Sequence, residues 1–116
     1  MKRVLFLDDC DGIHKFLQDC LKSTPEIELV SVLTIEDFRK RFAVDKNWDF
    51  IIIDACVPGY SINTMEVVKE IRAGDSDVPI LAVSASPFQC EGLINLGCID
   101  GGEKKDLPKK IIQSLE

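Results

Sequence analysis

Phe50-Ile51-Ile52-Ile53-Asp54-Ala55-Cys56-Val57-Pro58-Gly59 is the stretch whose reading decides the fold. Four apolar side chains, three of them β-branched, run without a polar interruption, end in one carboxylate and meet a Pro-Gly turn. An apolar run with no alternation predicts a strand covered on both faces, as in a parallel α/β sheet. Pro58-Gly59 ends it. Asp54 then falls at the carboxyl end of a central buried strand, the edge where open α/β sheets take their ligands. Taken alone, a strand-end aspartate is usually a turn or cap residue. A function for Asp54 needs matching chemistry from other segments at the same edge.

Upstream, Arg3 to Leu7 is a second apolar segment, and it closes on Asp8-Asp9. Ile13, Phe16, Leu17, Cys20 and Leu21 recur at helical spacing and predict an amphipathic helix. Ile27 to Leu33 reads as a strand. Thr34 and Asp37 resemble a capping box that opens a helix with Ile35, Phe38 and Phe42 on one face. Trp48 leads into the central strand.

Downstream, Met65, Val67, Val68 and Ile71 mark a helix closed by Gly74. Val78 to Val83 predicts a strand ending in Ser84. Ser86-Pro87 is a cap and first-turn pair for a short helix that runs toward Leu96 and stops at Gly97. Cys98-Ile99 begins a weak fifth strand, and Asp106 with Pro108 opens a last helix carrying Leu107, Ile111 and Leu115. The pattern is β-α repeated at intervals of about two dozen residues, and right-handed crossovers then put helices on both faces of a parallel sheet. With no linker, repeat or low-complexity tract, the 116 residues read as one domain, 1–116.

Composition narrows the function classes. Hydrophobic residues make up 46% and charged residues 29%, ordinary for a globular protein, and the net charge of −6 argues against a phosphate-contacting nucleic-acid surface. No apolar run has membrane-spanning length, and the one after Lys2-Arg3 is too short for a signal-peptide core. The expectation is a cytoplasmic protein with no membrane contact. Five cysteines without a CxxC pair suit reduced thiols rather than a disulfide framework. Cys10 and His14, four apart, could share a helix face as zinc ligands, but no second pair completes four ligands. The simpler expectation is a small buried thiol at Cys10 and a surface imidazole at His14.

Three predicted strands end in chemistry: Asp8-Asp9, Asp54 and Ser84. Lys104 follows the fifth. In a parallel sheet these ends share one edge. Crowded carboxylates repel, and burial raises their pKa values unless a cation neutralises them. Hard oxygen ligands suit Mg2+, which keeps waters for phosphate oxygens to replace. A hydroxyl and an ammonium beside it match a phosphoryl group whose charge spreads over three oxygens, and one carboxylate is left as nucleophile.

At this point the whole chain resembles the receiver domain of two-component response regulators, the CheY-like family. The carriers are Leu7-Asp8-Asp9, Ile53-Asp54 with Pro58-Gly59, Lys69-Glu70-Ile71-Arg72, Val83-Ser84-Ala85, and Gly97 with Lys104 seven residues later. The resemblance implies a flavodoxin-like (βα)5 doubly wound fold with strand order 2-1-3-4-5. It implies a phosphorelay receiver that takes a phosphoryl group on Asp54 from a histidine kinase, a phosphotransfer protein or a small phosphodonor. Such a receiver is a signalling protein that promotes its own phosphorylation and dephosphorylation. Asp9 would ligate Mg2+ directly, Asp8 through water, Asp54 by its carboxylate and Cys56 by its backbone carbonyl. Ser84 and Lys104 would bind phosphoryl oxygens. A downstream protein target would dock on the face made by the fourth helix, fifth strand and fifth helix.

The departures from the family lie on the output side. The usual fifth-strand aromatic falls on Gly101, and the proline after the lysine is Lys105. The interval from Ser84 to Gly97 is about two residues short, the loop after Gly59 is longer by a similar amount, and Thr64 replaces the usual glycine near the third helix. Phe88, the Gly101-Gly102 loop or the whole fourth helix is left to carry any switch. Two alternatives follow. One is a receiver fold that binds a partner without phosphorylation. The other rests on Asp9-Cys10-Asp11-Gly12, which is similar to the DxDG opening of haloacid-dehalogenase-type phosphatases with Ser84 as their second-motif hydroxyl; the later acidic pair of that family is not evident.

Overall fold

The computed structural model describes residues 1–57, 63–74, 77–84 and 90–115. The strands are β1 (Lys2–Leu7), β2 (Ile27–Val32), β3 (Phe50–Asp54), β4 (Ile80–Val83) and β5 (Ile99–Asp100). The helices are α1 (Asp11–Cys20), α2 (Ile35–Val44), α3 (Met65–Gly74), α4 (Glu91–Asn95) and α5 (Leu107–Leu115). The strands form one parallel sheet in the order β2-β1-β3-β4-β5, as expected.

The unbroken apolar run of β3 is explained by its position. Ile51 and Ile53 point into a core shared with Phe38, Val67, Val68, Ile71 and Leu93, the faces of α2, α3 and α4. Phe50 and Ile52 point the other way, toward Leu17, Leu107 and Ile111 of α1 and α5. Period-two alternation persists, but both faces are dry, so the sequence shows no polar half. β2, at the edge, is only half-buried along its length.

Local chemistry sets the helix ends. The Thr34 hydroxyl accepts the Asp37 N–H at 3.0 Å and so caps α2. Gly97 takes φ +97°, where a side chain would be strained. The Cys98 N–H then reaches Leu93 O at 3.1 Å and the Gly97 N–H reaches Ile94 O at 2.9 Å, the paired bonds of a Schellman ending.

Some boundaries differ from expectation: β1 begins at Lys2 rather than Arg3, and β2 ends at Val32 rather than Leu33. β4 begins at Ile80 rather than Val78, because Pro79 has no N–H for the ladder, although its carbonyl accepts from Ile51. β5 is shifted one residue, to Ile99–Asp100, with Cys98 buried and Ile99 half exposed. α5 starts at Leu107, directly after Asp106 as expected, with a 3-10 turn at Lys104–Asp106 before it. The proposed Ser86-Pro87 cap, Phe88 and the Pro58-Gly59 turn lie outside the described residues.

The amino edge of the sheet is tied by Arg3. Its guanidinium makes paired contacts of 2.7 and 2.6 Å with Asp45, a third of 2.8 Å with Glu28, and lies 4.3 Å from the Trp48 ring centroid. The Asp45 carbonyl accepts the Trp48 indole N–H, so β1, β2 and the α2–β3 connection meet in one knot. Arg3 holds the Asp45 carboxyl below its usual pKa against the opposing effect of burial. A carboxylate with a depressed folded-state pKa stabilises above its unfolded value and loses that contribution as pH falls through the folded value. Arg3→Met is therefore expected to melt a few degrees below wild type at neutral pH. The gap should narrow as pH falls below about 4. Thermal melts at several pH values test this, and a gap independent of pH would sink the ionic account.

Candidate phosphoryl-acceptor site

Parallel pairing brings the carboxyl ends of β1, β3, β4 and β5 to one edge. Asp8 directly follows β1, Asp54 ends β3 and Ser84 directly follows β4. The two acidic strand ends are built alike: Asp8 Oδ1 accepts the Cys10 N–H at 2.9 Å, and Asp54 Oδ1 accepts the Cys56 N–H at 3.2 Å. Each carboxylate closes a turn on its own backbone, the local habit that makes aspartate common at strand ends. Their second oxygens remain for other partners.

Those oxygens converge. Carboxylate oxygens of Asp8, Asp9 and Asp54 lie within 4.8 Å of one another. Asp8 is fully buried, Asp54 is 5% exposed and Asp9 is open to solvent. Lys104 enters from the loop after β5 and places Nζ 2.7 Å from Asp8 Oδ2 and 3.1 Å from Asp54 Oδ2. The closer contact is with Asp8, whose Oδ2 is fully buried. Lys105 turns away to Glu103, at 3.1 Å, so of the two adjacent lysines only Lys104 reaches the acidic cluster.

Electrostatics follow from this crowding. Burial and the neighbouring Asp8 charge push the Asp54 carboxyl above its usual pKa, against the pull of Lys104 and the Cys56 N–H. Burial works to lower the Lys104 ammonium, but the Asp8 and Asp54 carboxylates outweigh it and the pKa rises. The buried thiols are unreactive. Burial raises Cys56, and it raises Cys90 and Cys98 to about 11.

The donor set fits a divalent ion. Three carboxylate groups bring oxygens together, two of them on buried residues, and the ammonium of Lys104 stands where positive charge is needed. Ser84 is 8% exposed and lines a cleft of about 550 Å³ together with Cys90, Asp100 and Lys104. The cleft adjoins the acidic cluster.

The chain is closely packed at residue 101, where the family resemblance places an aromatic. Gly101 is buried, and its N–H donates to Ala82 O at 2.7 Å. A Cβ there would lie 2.5 Å from that same carbonyl and 2.5 Å from Val83 Cγ1. Among the described residues α4 runs from Glu91 to Asn95.

Several side chains matter more than sequence reasoning indicated. Thr64 is fully buried, and its hydroxyl donates to Asp54 O at 2.9 Å, with Ala55 O at 3.1 Å. Asn63 accepts the Val57 N–H and donates to the Val57 carbonyl. Together they pin the backbone that carries Asp54. The expectation for Cys10 and His14 is reversed: Cys10 is exposed and His14 is 4% exposed. α1 turns His14 and Leu17 inward, whereas Cys10 precedes the helix in the loop. No zinc set including either residue is present among the described residues.

No family model matches the sequence, and no curated protein matches it. Solved structures do. The response regulator TrrA of Thermotoga maritima, in complex with Mg2+-BeF, aligns with TM-score 0.76 and 26% identity over 98% of this chain and 99% of that one. This is the fold of the CheY-like receiver domains. A receiver domain protein from Methanospirillum hungatei aligns with TM-score 0.79 at 18% identity over 99% of this chain and 94% of its own. One from Pseudoalteromonas atlantica reaches 0.81 at 13% identity over 97% and 96%. At such low identities these two speak for the receiver fold alone.

Proposed function

We propose that the chain is a phosphoaccepting receiver of a two-component phosphorelay, with Asp54 as acceptor. The observation that carries this reading is the convergence of Asp8, Asp9 and Asp54 around a shared point beside Lys104. Asp9 and Asp54 would hold Mg2+ with the Cys56 carbonyl, and Asp8 would act through water. The ion supplies charge neutralisation for the incoming phosphoryl group. An Asp54 carboxylate oxygen attacks phosphorus, the bond from phosphorus to the donor breaks, and an acyl phosphate is left on the side chain. Lys104 offers an ammonium, and Ser84 a hydroxyl, to the oxygens of that group. Release by water would restore the carboxylate.

Phosphodonors on this reading are a histidine kinase, a phosphotransfer protein or a small acyl or amido phosphate. The protein target would dock on α4, β5 and α5, where Ile94 and Ile99 are 37% and 51% exposed. No helix among the described residues is long and apolar enough to cross a membrane.

Incubation with acetyl phosphate and Mg2+ should add one phosphoryl mass to the intact protein, and Asp54→Asn should add none. A wild-type mass unchanged by acetyl phosphate, phosphoramidate and a panel of histidine kinases would overturn the reading. The same variant carries a second expectation. A carboxyl whose pKa is raised on folding binds its proton more tightly in the folded state, so its ionisation destabilises the fold as pH rises. Without metal at pH 7, Asp54→Asn should therefore melt roughly 4 °C or more above wild type, and the gain should vanish near pH 4. Equal melting temperatures at both pH values would contradict the crowding described above.

The closed Gly101 position favours a second reading, a receiver fold that binds its partner without phosphorylation. Partner binding unchanged in Asp54→Ala would support it, and a phosphate-dependent change in binding would remove it.

A further inference from the structure

His14, the chain's only histidine, is spent on a backbone atom of the acidic cluster. It sits in the first half of α1, 4% exposed, with its ring 4.5 Å from that of Phe6 at an interplanar angle of 50°. Its Nε2 lies 2.7 Å from the carbonyl oxygen of Asp8. A carbonyl oxygen only accepts, so Nε2 carries the proton in this bond. In the neutral ring Nδ1 is then the bare nitrogen, and it is buried with no hydrogen-bond partner. A leucine would fill the same space against Phe6 without leaving a buried acceptor unsatisfied. The imidazole is therefore poorly explained by packing alone.

The carbonyl it holds belongs to the peptide joining Asp8 to Asp9. A peptide unit is planar, so fixing that oxygen fixes the plane from which the Asp9 chain departs. The other groups of Asp8 are already tied: its N–H to Val32 O at 3.2 Å and its Oδ1 to the Cys10 N–H. Asp9 is exposed, and its direction is set through the backbone. His14 supplies the remaining constraint on the turn from which both carboxylates reach toward Asp54.

We propose that His14 is a positioning residue that sets the Asp8–Asp9 peptide plane and thereby aims the Asp9 carboxylate at the divalent-ion position. The proposal rests on the receiver reading above. Partners that orient ligands from behind a metal site typically change its affinity by ten- to a hundredfold when removed.

The test compares wild type with His14→Leu, which removes the donor, and His14→Gln, whose amide can reach a similar point. Without metal, the nitrogen-15 spectrum of the imidazole should show the proton on Nε2. The Asp9 and Cys10 amide resonances should move in His14→Leu and return toward wild type in His14→Gln. Titration with MgCl2 by calorimetry should show binding weakened about tenfold in His14→Leu and largely recovered in His14→Gln. If His14→Leu binds Mg2+ like wild type, or fails to fold, His14 is a packing residue and the proposal is overturned. If wild type itself binds no Mg2+, the receiver reading fails instead, and the metal-free spectra still decide whether His14 sets the Asp8–Asp9 peptide.

Discussion

Gly101→Ala is expected to destabilise the fold by about 3 kcal/mol, which lowers the melting temperature by roughly 10 °C. The added methyl would sit 2.5 Å from Ala82 O and from Val83 Cγ1, and 3.1 Å from Leu81 Cγ. Val83 could adjust by rotation. The carbonyl cannot, because it is backbone of β4 and already accepts the Gly101 N–H at 2.7 Å. Relief requires the chain after β5 to move away from β4. β5 joins β4 through two registered pairs, Leu81 with Ile99 and Ala82 with Asp100, and through that Gly101 bond, so relief of the clash breaks part of a short edge pairing. Phenylalanine or tyrosine at this position should be worse than alanine. Calorimetric melting of the three variants measures this, and an alanine variant within about 2 °C of wild type would show that the close approach is not maintained in solution.

That result bears on signalling as well as stability. An aromatic that swings inward beside Ser84 has no place to be anchored at residue 101. If phosphorylation of Asp54 is read out, the two-state element must lie elsewhere along α4, β5 and the loop leading to Lys104. Hydrogen exchange with and without phosphoryl donor would locate it.

The sequence made some of this visible and hid the rest for identifiable reasons. The run Phe50 to Ile53 predicted burial on both faces, and the structure divides those residues between two cores. Gly97 was legible as a stop because its conformation is open to few other residues. The acidic strand ends were legible because parallel strands with helical crossovers bring their carboxyl ends to one edge, whatever the distance along the chain. β5 was placed one residue early because a two-residue edge strand has too short a period to read. His14 was assigned the wrong exposure because rotation of α1 depends on what it packs against, here Phe6, and Cys10 because it stands in the loop before the helix rather than on its face. Thr64 showed only as a departure from the family pattern, and Asn63 gave no signal. Their partners are backbone carbonyls and N–H groups of Asp54, Ala55 and Val57, and backbone acceptors leave no trace in a pattern of side chains.

Lys104→Met should cost about 3 kcal/mol at pH 7 without metal, and millimolar Mg2+ should restore most of it. Methionine keeps much of the aliphatic length and removes the charge. Asp8 and Asp54, buried and side by side, then lose the ammonium that sits 2.7 and 3.1 Å from their oxygens. Removing one member of a buried ionic cluster leaves the others uncompensated, the expensive way to break it. The pH dependence separates this from lost packing. A lysine whose pKa is raised on folding contributes fully below its unfolded value, about 10.4, and loses that contribution only as pH climbs through the higher folded value. The wild type therefore keeps the lysine's contribution at pH 7. In the variant, one carboxyl can take up a proton as pH falls, so the deficit should shrink steadily toward pH 4. Mg2+ acts on the same two charges. It should raise the melting temperature of Lys104→Met more than that of wild type, where an ammonium already neutralises them. Thermal melts in EDTA and in MgCl2 at pH 5, 7 and 9 decide the matter. Equal Mg2+-induced shifts in the two proteins would mean that Lys104 and the ion do not answer the same carboxylates.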